Sequence, residues 1–138
     1  MADSPPLAAL VRRFVDAFNR CDLEGVMGQL TTDAVYDELT GRRNVGEAAI
    51  REAFTPQFRG DYGALVFDEE DLFIDEAAGK ALVSWTCRIQ GRPGGWRGLD
   101  ILVFRDGLIC EKRTYTKADV PKIERGSVSG APSDPKAL

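Results

Sequence analysis

GWRGLDILVF, residues 95–104, is the stretch on which the fold turns. Read as a β-strand, its side chains alternate between two faces. Trp96, Gly98, Asp100, Leu102 and Phe104 share one face, and Arg97, Leu99, Ile101 and Val103 share the other. Both faces are largely apolar, so the strand is expected to be covered on both sides. A carboxylate nevertheless sits in its middle. An isolated ionised Asp among apolar neighbours costs on the order of several kcal/mol or shifts its pKa. Asp100 therefore needs either a dedicated partner or a task.

Working outward, turn signals at Ala78–Gly79, Pro93–Gly94–Gly95 and Asp106–Gly107 predict antiparallel hairpins among strands at 80–90, 96–105 and 107–116. An earlier strand spans about 63–75, with EEDL at 69–72 marking a bulge or a break. Upstream, Leu7, Leu10, Val11, Phe14 and Phe18 fall at helical spacing on one stripe of a helix ending near Arg20. Asp22 is placed to cap a second, shorter helix. AVYDEL at 34–39 reads as a short strand, and residues 46–58 read as a third helix. Helices followed by strands give an α+β protein, three N-terminal helices packed against an antiparallel sheet. One domain spans 1–125. Residues 126–138 are small, polar and punctuated by Pro and Gly, and are expected to form a disordered tail.

The chain has 138 residues and a net charge of −4, with no basic tract, which argues against nucleic acid as partner. No apolar run reaches the roughly 18–20 residues of a membrane span, and a cytoplasmic location is expected. The cysteines, Cys21, Cys87 and Cys110, resemble neither a disulfide framework nor a zinc site. The absence of histidine excludes Ser-His-Asp and Cys-His catalysis and histidine metal ligation. Neither a metal nor a cofactor is expected, and acid–base chemistry must rest on Asp, Glu, Tyr, Lys or Cys.

The words VRRFVDAFNRCDLEGVMGQLTTDAVYDELTG and VGEAAIREAF, with the late hairpin FRDGLI, resemble the nuclear transport factor 2-like superfamily. That group includes the SnoaL-like proteins and the ketosteroid isomerases, and the resemblance spans about Leu7 to Asp119. It implies a strongly curved antiparallel sheet wrapped around the helices into a cone, with a pocket at the open end. It also implies catalytic roles: Asp37 matches the isomerases' general base, and Asp100 matches an Asp held neutral to donate a hydrogen bond to the oxyanion. The isomerases carry a Tyr on the first helix where this chain has Phe14. In the limonene-epoxide-hydrolase branch, an Arg and an Asp stand where this chain has Gly98 and Thr114.

Strand parity places Asp37 with Val35 and Leu39, and Tyr36 with Ala34 and Glu38, so Asp37 is expected to face the apolar side with Asp100. The pocket wall is expected to include Phe14, Phe18, Phe54 and Phe58 from the helices, and Tyr36, Trp85, Leu102 and Tyr115 from the strands. Arg88 or Arg97 is the cation that could pair Asp100, whereas Glu111, Lys112 and Arg113 read as solvated or interfacial. Two functions follow. One is a small cofactor-independent isomerase- or cyclase-like enzyme acting on a hydrophobic carbonyl compound. The other is a non-catalytic ligand-binding or dimeric association domain. A homodimer is expected through the outer sheet face, using Leu99, Ile101 and Val103, with Val83, Trp85 or their neighbours opposite.

Overall fold

Pro6, with φ −64°, opens α1 (Leu7–Asn19), whose buried stripe of Leu7, Leu10, Val11, Phe14, Ala17 and Phe18 follows the helical period. The structure is a computed structural model that describes residues 5–117. The expected tail lies outside the described residues. Asp22 caps α2 (Leu23–Met27) by accepting a hydrogen bond from the Gly25 N–H at 2.9 Å. Two strands follow, β1 (Leu30–Asp37) and β2 (Arg43–Val45), and then α3 (Glu47–Phe58). Four long strands complete the fold: β3 (Leu65–Asp75), β4 (Lys80–Ile89), β5 (Gly95–Arg105) and β6 (Leu108–Lys117).

The six strands form one sheet in the order β2-β1-β6-β5-β4-β3. The hairpins from β3 to β6 are antiparallel, as the turns require, and EEDL is indeed a bulge, with the register shifting between Glu69 and Asp71. Two expectations need correction. The sheet is mixed, because β1 pairs with β6 in parallel. The three helices are not all ahead of the strands, since β1 and β2 intervene before α3. The hairpin of β1 and β2 brings α3 across one half of the sheet while α1 covers β3 and β4. Val11, Phe14, Ile50 and Phe54 from the helices meet Val83, Cys87, Leu102 and Ile109 from the sheet in one core.

The β5 parity holds. Asp100 and Leu102 are buried on the inner face, while Leu99, Ile101 and Val103 lie half-buried on the outer one. On β4 the outer face instead carries Leu82, Ser84 and Thr86, because Val83 and Trp85 are buried inside. Among the described residues, no helix is long and apolar enough to cross a membrane.

Candidate functional site

A cavity of about 350 Å³ opens between the helices and the inner face of the sheet. Its walls are aromatic: Phe14, Phe18 and Phe54 from the helices, and Tyr36, Trp85 and Trp96 from the strands. These rings brace one another. Phe18 meets Phe14 edge-on at 5.1 Å and Phe54 at 5.3 Å, and Tyr36 lies 4.7 Å from Phe54, tilted by 33°. Such pairs add to the area they bury and fix the ring planes. Leu39 and Tyr62, both well exposed, mark the mouth.

At the base stands the residue in question. Asp100, 7% exposed, accepts three hydrogen bonds. Trp85 Nε1 donates to Oδ2 at 3.1 Å, while Lys112 Nζ at 2.7 Å and Thr114 Oγ1 at 2.6 Å donate to Oδ1. Lys112 also donates to Thr114 Oγ1 at 2.6 Å. Three converging donors suit an ionised carboxylate and leave it no hydrogen-bond donor role. The expectation of a neutral, donating Asp100 is therefore corrected: its partner is a buried lysine. The arginines that might have served are occupied elsewhere, Arg88 with Asp68 at 2.8 Å and Arg97 with Glu70 at 2.9 Å.

Lys112 itself is 6% exposed, not solvated. Burial works against its charge, but the Asp100 carboxylate, the nearby Tyr36 and the hydrogen bond to Asp100 outweigh it and raise its pKa. The ammonium also lies 4.7 Å from the Tyr36 ring centre and 5.7 Å from that of Phe18, within cation–π range. Nothing in residue type announced this placement. Counting alternately from buried Ile109 would turn Glu111 inward, but the register slips where Phe104 pairs with Ile109 and Val103 with Glu111. The extra residue, Cys110, turns Lys112 and Thr114 to the inner face. Tyr115 is consequently half exposed and off the cavity wall.

The β1 parity is also reversed from expectation. Ala34 is buried, and Tyr36 and Glu38 line the cavity. Asp37 is opposite Arg43 on β2 and Arg113 on β6, with Arg43 Nη1 3.8 Å away, and takes no part in the cavity wall. The aromatic contact of Tyr36 with α3 decides which face turns inward. Glu38 is the carboxylate that reaches the cavity, and Asn44 Nδ2 holds its Oε2 at 2.9 Å while also donating to the Tyr36 carbonyl at 3.2 Å. Asn44 belongs to β2, a strand too short for the sequence to reveal.

Of the expected wall, Phe14, Phe18, Tyr36, Phe54 and Trp85 are in place. Leu102 is wholly buried in the core behind the wall, and Phe58 packs on Phe18 and Phe54 from outside it. The floor is set by a close approach: Gly98 faces Trp85 across β4 and β5. A Cβ at Gly98 would come within 2.5 Å of the indole and 2.6 Å of the Tyr115 carbonyl. Among the described residues, no group of three His, Cys, Asp or Glu side chains is placed to hold a metal ion.

Solved structures share this architecture. A candidate ketosteroid isomerase from Kribbella flavida is 24% identical, with TM-score 0.66, covering 90% of this chain and 88% of its own. A candidate polyketide cyclase from Pseudomonas putida is 17% identical, with TM-score 0.68, covering 83% and 94%. A nuclear transport factor 2-like protein of unknown function from Mesorhizobium loti is 22% identical, with TM-score 0.68, covering 86% and 98%. At these identities the likeness is one of fold. Among curated proteins, none matches the chain in sequence. The SnoaL-like domain pattern matches residues 11–112, a span that runs from α1 to the buried lysine, and the chain is a member of the SnoaL-like domain family.

Proposed function

We propose that this protein is a small cofactor-independent enzyme, isomerase- or cyclase-like, that acts on a hydrophobic carbonyl compound by carboxylate acid–base chemistry. One observation carries the reading: an aromatic cavity holds the Glu38 carboxylate on its wall and a buried Lys112–Asp100 pair at its base. Glu38 takes the proton from a carbon next to the carbonyl. The C–H electron pair becomes the C=C bond of an enolate, and the carbonyl π pair moves onto oxygen. The positive end of the Lys112–Asp100 pair faces that charge in a site of low polarity, where a fixed dipole acts strongly. Where a second C=C adjoins the enolate, the far carbon of the conjugated system takes the proton back from Glu38 as the double bonds shift and the carbonyl re-forms, giving isomerisation. Otherwise the enolate carbon attacks a second carbonyl carbon of the same molecule, closing a ring, and the alkoxide so formed takes the proton from Glu38. Asp100 serves as the positioning residue for Lys112, and Asp37 has no part in the step.

The test is hydrogen exchange into a simple hydrophobic ketone, 2-tetralone, followed by NMR in deuterated buffer. The protein should accelerate loss of the proton next to the carbonyl. Glu38→Gln should lower that rate by about 100-fold or more, and Asp37→Asn should leave it unchanged. Binding without exchange above buffer would favour a non-catalytic ligand-binding domain.

We further propose self-association of two copies through the outer sheet face. Phe73, 65% exposed, adjoins Leu82 and Ile101 across β3, β4 and β5, an apolar strip that an isolated copy leaves open.

A further inference from the structure

The base of the cavity contains several donors, and their commitments can be followed one by one. The Trp85 indole N–H goes to Asp100, and so does the Thr114 hydroxyl proton. An ammonium has three N–H donors. Those of Lys112 meet Asp100, Thr114 and the face of the Tyr36 ring. None of these is left to approach a bound oxygen directly. Among the groups around Asp100 the Tyr36 hydroxyl remains, beside the Thr114 side chain and on the cavity wall.

We infer that Tyr36 is a catalytic residue, the hydrogen-bond donor that meets the ligand's carbonyl or enolate oxygen, and that Lys112 acts through the phenol ring without touching the ligand. This rests on the carbonyl-chemistry reading given above. Tyr36 lines the cavity from β1, and Glu38, just past the strand's end at Asp37, lines it two residues later, so donor and base reach one cavity from one short stretch of chain. Phe54, 4.7 Å away, fixes the plane of its ring, and Asn44 anchors both its carbonyl and the Glu38 carboxylate. Burial raises the phenol's pKa above its ordinary 10.0. The Lys112 charge opposes this, the Asp100 and Glu38 charges reinforce it, and a hydrogen bond with the Thr114 side chain opposes it. The hydroxyl thus keeps its proton in neutral solution. A cation against the ring face draws electron density from the phenol and strengthens the O–H as a donor. The ligand is accordingly an aromatic-sized molecule bound with its oxygen inward, at the base of the cavity.

The experiment compares 2-naphthol with 2-methylnaphthalene, its apolar counterpart, by calorimetric titration against the unaltered protein and Tyr36→Phe. Loss of one hydrogen bond should weaken naphthol about three- to tenfold and leave methylnaphthalene unchanged. Equal weakening of both compounds would assign Tyr36 a packing role and overturn the inference, as would unchanged naphthol affinity, with the cavity reading intact in either case. Failure of both compounds to bind the unaltered protein would overturn that reading together with the inference. A second measurement needs no substitution. With tyrosine labelled at the ζ-carbon, the Tyr36 resonance should move on adding naphthol and stay with methylnaphthalene, and the same response to both compounds counts against the donor role.

Discussion

The two faces of the central strands solve opposite problems with the same residue types. Inside, Asp100 and Lys112 are both under 8% exposed and share one hydrogen-bonded cluster with Thr114 and Trp85. Outside, Asp37 pairs with Arg43 at 3.8 Å and Arg113 with Glu111 at 3.5 Å, through side chains that are 29% to 58% exposed. An ion pair on the outer face is exchanged readily for water, and its worth is small. The inner pair has no such alternative. Its charges are held only by each other and by the few groups around them, so each becomes indispensable once the other is buried.

The largest effect should come from breaking the inner pair on one side. Lys112→Ala leaves the Asp100 carboxylate buried without its cation and should cost about 3–5 kcal/mol of stability, read from the denaturant midpoint. A loss no greater than that of an outer-face substitution would erase the contrast between the faces.

Next in size is the effect of charge on the outer strip. Ile101→Asp places a carboxylate between Leu82 and Arg113 on neighbouring strands. It should weaken self-association by about tenfold or more, seen by sedimentation, while the melting transition of each copy persists. A monomer before any substitution would show that the strip is simply tolerated.

A subtler comparison is pH. The folded-state pKa of Lys112 lies above its ordinary 10.5, because burial, which lowers it, is outweighed by the Asp100 charge, Tyr36 and the hydrogen bond to Asp100 together, and that of Tyr36 lies above 10.0, chiefly through burial. For both, the folded value exceeds the unfolded one. Their linked stability is therefore fully present below the unfolded values and is lost as pH rises through the folded ones. Stability should fall on the alkaline side above about pH 10, and Lys112→Met should flatten that fall. An unchanged alkaline slope in the variant would locate the titration elsewhere.

The smallest effect belongs to the exposed pairs. Arg97 holds Glu70 at 2.9 Å with 61% of its side chain exposed. Arg97→Ala should barely move the melting temperature, and a drop like that of Lys112→Ala would contradict the ranking.

How much of this was legible in the sequence depends on the distance over which each signal acts. The helices and hairpins were, because the stripe from Leu7 to Phe18 and the glycine turns act within a few residues. The inward placement of Asp100 followed from the alternation of β5, a long regular strand. The placements of Asp37 and Lys112 did not. Lys112 depends on the register irregularity between Val103 and Phe104, and a one-residue slip exchanges the faces of everything beyond it. The partner of Asp100 was hidden for that reason. Asp37 and Glu38 depend on the long-range contact of Tyr36 with α3, which Val35 and Leu39 beside them do not announce.

The close approach at Gly98 has a consequence for descent. A side chain at position 98 would need Trp85 to shrink and the Tyr115 backbone to withdraw. Shrinking Trp85 first removes a donor from Asp100, while enlarging Gly98 first collides with the indole. Each change is harmful until the other is present, so stepwise selection is barred from the floor of the cavity. Leu39 and Tyr62, exposed at the mouth, face no such obstacle. Lineages descending from this chain can therefore reshape the mouth of the cavity far more readily than its floor.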